Sequence, residues 1–197
     1  ETDIYEYDKE GYATEDSVKF NRVTEPIHEI VTLNDYRKRH AQYKSDPDLQ
    51  LLHRSKPMIA VWDDHEFTND SWKYGAENHQ TEEGFFLSRK ANAIKAYLEW
   101  MPMRENKSKL KIWRKFEVGS LFQLLMIDTR SIYRDRQLNI DDYFDYDQID
   151  ETKYIKDLSI DRKLIGLEQL LWLKKNINNK FKWSILVQQV LISNVNL

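Results

Sequence analysis

Apolar positions along the chain follow two rhythms, helical spacing in some stretches and short continuous runs in others. Leu33, Tyr36, His40 and Tyr43 recur at helical spacing. Thr32 precedes them as an N-cap, with Asp35 three residues later in the manner of a capping box. Asp46-Pro47 restarts a short helix, since aspartate caps and proline fits the first turn. Leu49, Leu51 and Leu52 supply its apolar side, and Pro57 ends it. Met58-Ile59-Ala60-Val61-Trp62 is continuously apolar, the pattern of a strand buried on both faces. A polar loop over 68–83 leads to a helix expected from Thr81 to Met101. Its inner side is Phe86, Ala93, Ile94, Tyr97, Leu98 and Met101, and Pro102 stops it. Ile112 to Ile127 reads as a hairpin turning at Gly119-Ser120. Residues 134–160 read as an exposed acidic loop. An amphipathic helix is expected from Gly166 to Asn178, with Leu167, Leu170, Leu171 and Ile177 inward. Phe181 to Ile192 is the last strand. Helices alternating with buried strands predict an α/β layered fold with mixed pairing.

Composition narrows this picture. The 197 residues suit one domain or most of one, and 41% hydrophobic with 32% charged is an ordinary globular balance. Net charge is −3, from 30 basic and 33 acidic residues, so no stable nucleic-acid partner is expected. Six Trp and 11 Tyr predict an aromatic-rich core. Cysteine is absent from the chain, which excludes thiolate ligands and disulfides within it. No apolar run reaches the roughly 18 residues of a membrane span, and no signal peptide is visible. The chain opens on Glu1 and stops in an apolar run, so it is expected to be an internal piece of a single domain, incomplete at both ends. Oligomeric state is not encoded in any pattern here.

The chemistry concentrates after the Met58–Trp62 run. Asp63-Asp64-His65-Glu66 places four ionisable residues at what reads as a strand's carboxyl end, where α/β sheets bind ligands. Adjacent carboxylates repel unless a positive group separates them, and hard cations suit aspartate oxygens. His65 is placed either to ligate or to give a proton to a leaving oxygen. A plainer reading is a capped helix start with surface ion pairs. Asn69-Asp70 and Glu77-Asn78-His79 offer further oxygens and an imidazole, or else simply make turns. Arg130, in Asp128-Thr129-Arg130 after the second hairpin run, either forks onto a phosphate or pairs with Asp128 or Asp135. The basic side of Tyr36-Arg37-Lys38-Arg39-His40 reads as a solvated face. No glycine-rich phosphate loop, GxSxG elbow or HExxH is present.

Several segments together resemble the PhoD-type alkaline phosphatase family. They are Asp35 to Tyr43, Asp46 to Gln50, the Trp62-Asp63-Asp64-His65-Glu66 motif with Asn69-Asp70-Ser71-Trp72, and Gly75-Ala76-Glu77-Asn78-His79. Glu99 to Arg104 and Ile127-Asp128-Thr129-Arg130 continue the resemblance. Gly166 to Leu173 and Trp183 to Leu191 resemble that family's later helix and strand. The resemblance implies a calcineurin-like metallophosphoesterase fold, a mixed β-sandwich flanked by helices. It also implies a site of Fe3+ with Ca2+, or other divalent metals, that hydrolyses phosphate mono- and diesters in a periplasmic or secreted parent protein. By the resemblance, Asp63, Asp64, Asn69 and Tyr5 fall at metal-ligand places and His65 meets the phosphate, while Arg130 is the candidate phosphate fork read from its place after the strand. A hydroxide activated by the metals would attack phosphorus.

The chain also departs from the family pattern. Where the family has Gly-Asp-Tyr-Ile-Tyr-Glu-Tyr, this sequence has Glu1-Thr2-Asp3-Ile4-Tyr5-Glu6-Tyr7. Thr2 thus stands at the metal-bridging aspartate, with Asp3 displaced by one. An upstream cysteine motif and a downstream Gly-Asp-x-His motif are missing from the chain. The alternative expectation is therefore a non-catalytic or degenerate calcium-binding domain of the same fold. A third is another metal-dependent hydrolase, such as a nuclease.

Overall fold

A computed structural model describes residues 19–103, 111–146 and 148–191. Tyr5, with Thr2 and Asp3, lies outside these, as does Ile192. Five α-helices and two small sheets form a mixed α/β architecture among the described residues. None of the described helices is long and apolar enough to cross a membrane.

Helix α1 (Leu33–Lys44) starts as its sequence dictates. Thr32 accepts from the Asp35 backbone N–H, and Asp35 accepts from that of Thr32. Helix α2 (Pro47–Ser55) is capped by Asp46, whose carboxylate accepts the N–H groups of Asp48 and Leu49, both at 3.0 Å. Leu51 and Leu52 nonetheless lie exposed among the described residues, because nothing described packs on that side of α2.

Helix α3 (Phe86–Trp100) is shorter than the sequence suggests. A 3-10 turn, Thr81–Glu83, precedes it, and Gly84 at φ +87° breaks the run. Phe86, Ala93, Ile94 and Tyr97 face inward as expected. Helix α3 packs on α1. Between them Tyr36, Trp62, Phe67, Ile94, Tyr97 and Ile112 form the first core cluster, and each large side chain buried there contributes roughly 1.5–3 kcal/mol.

The hairpin forms as β1 (Arg114–Val118) and β2 (Phe122–Met126), paired antiparallel, with Gly119 at φ +52° in the turn. Strand β5 (Trp183–Val187) lies parallel to β2 on its other side. It is shorter than the expected 181–192 strand. Helix α5 (Gly166–Asn176) covers the sheet through Leu173, which meets Leu125 and Ile127 in a second cluster.

Three expectations need correction. Residues 58–62 run extended, with no strand partner among the described residues. Met58 and Ile59 are exposed, and the Ala60 carbonyl accepts from the Arg114 side chain rather than from a neighbouring strand. Helix α5 turns its Gln169–Leu173 side inward, leaving Leu167, Leu171 and Ile177 exposed, because Gln169 is drawn under the sheet end by its hydrogen bonds. The acidic stretch 134–160 is not structureless. It holds a 3-10 turn (Ile140–Tyr143), a two-residue ribbon of β3 (Phe144–Asp145) and β4 (Gln148–Ile149), and helix α4 (Glu151–Leu158). Asp150 caps α4 by accepting the Lys153 N–H at 2.9 Å.

Candidate active site

The two clusters flank a turn, 63–70, and a strand end, 127–131. The turn is knitted by its own acids. The Asp64 carbonyl accepts from the Phe67 and Thr68 N–H groups at 2.7 and 2.9 Å. Its carboxylate takes the N–H of His65 on one oxygen (3.1 Å) and that of Asp70 on the other (2.7 Å). Glu66 reaches back to the Asp63 N–H at 2.6 Å. Trp62 and Phe67, rings 5.4 Å apart edge to face, root both limbs of the turn in the first core cluster. Tyr36 adds a buried hydroxyl donating to the Phe67 carbonyl at 2.5 Å.

Arg130 closes the site from the strand end. Its Nε donates to Asp63 Oδ1 at 2.5 Å, and its Nη1 lies 3.0 Å from Asp70 Oδ1 and 3.3 Å from Asp64 Oδ2. Neighbouring carboxylates demand a positive group between them, and here the guanidinium supplies it. The sequence left Arg130 to a phosphate or to Asp128 or Asp135. Of the two carboxylates, Asp128 accepts from the Arg130 backbone N–H at 2.9 Å rather than from its guanidinium, and Asp135 accepts from the Lys163 backbone.

Burial sets the electrostatics. It raises the Asp64 carboxyl above its ordinary range, against the pull of Arg130. It pushes Glu66 up to about 7. Burial works against the Arg130 charge, but Asp64 and Asp63 more than compensate and hold it protonated.

His65 Nε2 lies 2.9 Å from Asn69 Oδ1. Asn69 in turn donates to Glu77 Oε2 at 3.0 Å and to Asn78 Oδ1 at 3.4 Å. Asp63, Asp64, His65, Asn69 and Arg130 are thus brought together. His79 is not among them. It faces Arg89, Glu83 and the Gly84 carbonyl. The expected solvated basic face of α1 also divides. Arg37 pairs with Glu99 at the surface, whereas Arg39 is fully buried and donates to the Glu25 and Pro26 carbonyls.

The donor chemistry of the turn, carboxylate and amide oxygens, suits a hard cation. Among the described residues, however, no group of three or more His, Cys, Asp or Glu side chains is placed to hold a metal ion. Asp63 and Asp64 are turned to Arg130, and the Asn69 oxygen to His65. The described donors alone therefore do not form a coordination shell.

Sequence reading missed Asp70 as a partner of Arg130, and Gln169 and Gln189 behind it. Asp70 had a signal, since it sits with Asn69 in a polar loop next to the acidic motif. The glutamines had none, because an amide buried for the sake of backbone groups looks like any other polar residue.

A mixed α/β scaffold thus brings an acidic turn and a basic strand end together at one rim. The chain belongs to the family described as PhoD-like phosphatase, which matches residues 3–197. It is 37% identical over 198 residues to alkaline phosphatase D of Bacillus subtilis (strain 168), covering 98% of this chain and 32% of that protein. The solved structure of PhoD matches with a TM-score of 0.67 at 35% identity, over 84% of this chain and 31% of that one. The chain thus spans about a third of the length of these relatives.

Proposed function

We propose that this chain provides one wall of a hydrolase site for phosphate mono- and diesters. The observation that carries the reading is the meeting of the Asp63-Asp64-His65 turn with Arg130, in a chain of the PhoD-like phosphatase family. In this reading Arg130 orients the phosphoryl oxygens through its planar fork. His65, whose Nε2 rests against Asn69 Oδ1, leaves that contact to give a proton to the leaving oxygen. Asp63 and Asp64 keep Arg130 charged and fix its direction. A phosphoryl group entering here competes with Asp63 and Asp70 for the guanidinium.

The resemblance to metallophosphoesterases supports a metal centre of Fe3+ and Ca2+, with Asp63, Asp64, Asn69 and Tyr5 as this chain's share of the ligands. Such ions supply charge neutralisation and an activated nucleophile. Since the described donors do not close around an ion by themselves, remaining ligands come from outside the described residues. The same resemblance supports completion of the three-stranded sheet into a flanked β-sandwich, and a periplasmic or secreted setting. One observation favours the second reading, a domain that keeps the fold without turnover: the carboxylates already have their cation in Arg130.

Hydrolysis of p-nitrophenyl phosphate and its bis ester by the complete gene product, with metal analysis, tests the proposal. Asp64→Asn and Arg130→Ala are expected to lower kcat/KM by about 100-fold or more, a loss typical of a removed charge-stabilising group. Full activity in both variants removes the roles given to Asp64 and Arg130, and an inactive wild type with bound metal removes the enzymatic reading.

A further inference from the structure

Strand β2 ends its regular pairing at Met126, opposite Arg114 and Val187, yet the next residues are held as firmly as a strand. Two glutamine side chains continue the ladder. Gln189 accepts the Thr129 N–H at 2.8 Å and the Thr129 hydroxyl at 2.6 Å, while its Nε2 donates to the Ile127 carbonyl at 2.8 Å. Gln169 accepts the Asp128 N–H at 2.7 Å and donates to the Asp128 carbonyl at 2.8 Å. A primary amide carries a carbonyl acceptor and N–H donors, so it can present the one donor and one acceptor of a peptide unit, and each side chain stands in for a missing strand neighbour. Gln189 follows β5, and Gln169 rises from α5. Asp128 then turns the chain by accepting the N–H groups of Arg130 and Ser131 at 2.9 and 2.8 Å. Lys90 ties down the Ser131 carbonyl from α3. Gln169, Asp128 and Thr129 are completely buried, so the Gln169–Asp128 bonds are shielded from water, while Gln189 is half-buried.

We infer that Gln169 and Gln189 are positioning residues that aim Arg130 at its ligand by extending β2 with side-chain amides. The inference rests on the role given to Arg130 above. Neither glutamine touches the Asp63–Arg130 pairs, so each acts through residues 127–129. Loss of either amide leaves buried peptide groups unpaired and lets the strand end shift. A displacement of about 1 Å at a charge-orienting group costs on the order of 100-fold in rate.

A double-mutant cycle on the complete gene product tests this, with bis(p-nitrophenyl) phosphate as substrate. Gln169→Met and Gln189→Met are each expected to lower kcat/KM by roughly 10- to 100-fold with Arg130 present. With Arg130→Ala in place, the same changes are expected to cost less than about 2-fold, because coupled residues do not add. Equal losses in both backgrounds, or no loss beside native Arg130, overturn the inference while leaving the Arg130 role standing. An Arg130→Ala variant with undiminished activity instead removes the role itself, and the inference with it. Circular dichroism monitors folding. Should a methionine variant not fold, Gln189→Glu runs the same cycle, since it keeps the acceptor for Thr129 and loses only the donor to Ile127.

Discussion

His40 has no hydrogen-bond partner for its buried Nε2 among the described residues and stacks on Trp100, with ring centroids 6.4 Å apart. Burial, helped by Lys44, pushes its imidazole down to about 4 from 6.5. Between those values the unfolded chain binds a proton that the folded chain refuses. The stabilisation is complete above pH 6.5 and is lost as pH falls toward 4, by on the order of 3 kcal/mol. His40→Phe keeps the stack, so its urea midpoint is expected to fall less than wild type between pH 7 and 5; parallel curves contradict this. Arg89 behaves oppositely. It is fully buried, donates to Tyr36 Oη at 3.2 Å and Glu29 at 2.8 Å, and pairs with Glu83 at 3.3 Å. Burial and the neighbouring Glu83 hold Glu29 at about 7 even with Arg89 there. Arg89→Met strands two acids and is expected to cost about 3–5 kcal/mol. Chemical denaturation should show a larger loss at pH 8 than at pH 5, where Glu29 is protonated.

At the level of elements, helix boundaries were the most legible feature. Thr32 with Asp35, and Asp46 with Pro47, fixed two starts by hydrogen bonds that depend only on neighbours in sequence. Thr32→Ala is expected to lower stability by about 1 kcal/mol, read from the thermal midpoint. The start of α5 is set differently. Gly166 has φ +66°, and a β-carbon there would stand 2.5 Å from the Tyr133 ring. Gly166→Ala is expected to destabilise by more than the 1 kcal/mol typical of a helical glycine site, because strain and overlap add. A midpoint equal to wild type would remove that account. Elements whose state depends on distant partners were less legible. The Met58–Trp62 run has strand composition but no strand neighbour among the described residues. Leu167 and Leu171 fit a helical stripe, yet Gln169 decides which side of α5 is buried.

For the whole molecule, the acidic turn was legible because four ionisable residues follow an apolar run, and the family because several motifs recur in order. The partner of that turn was not. Asp63 and Arg130 are separated by 67 positions, and Gln189 and Thr129 by 60, so only the tertiary fold brings them together. That separation has a kinetic meaning. Helices α1 and α3 nucleate from local contacts, whereas the rim where Arg130 meets its carboxylates exists only after long loops have closed. Assembly of the site therefore waits on closure of those loops. The amide of Asp70, in the partly exposed turn, should trade hydrogen for deuterium well before those in the middle of α3, so a brief opening can switch the rim off while the helical layer stays whole.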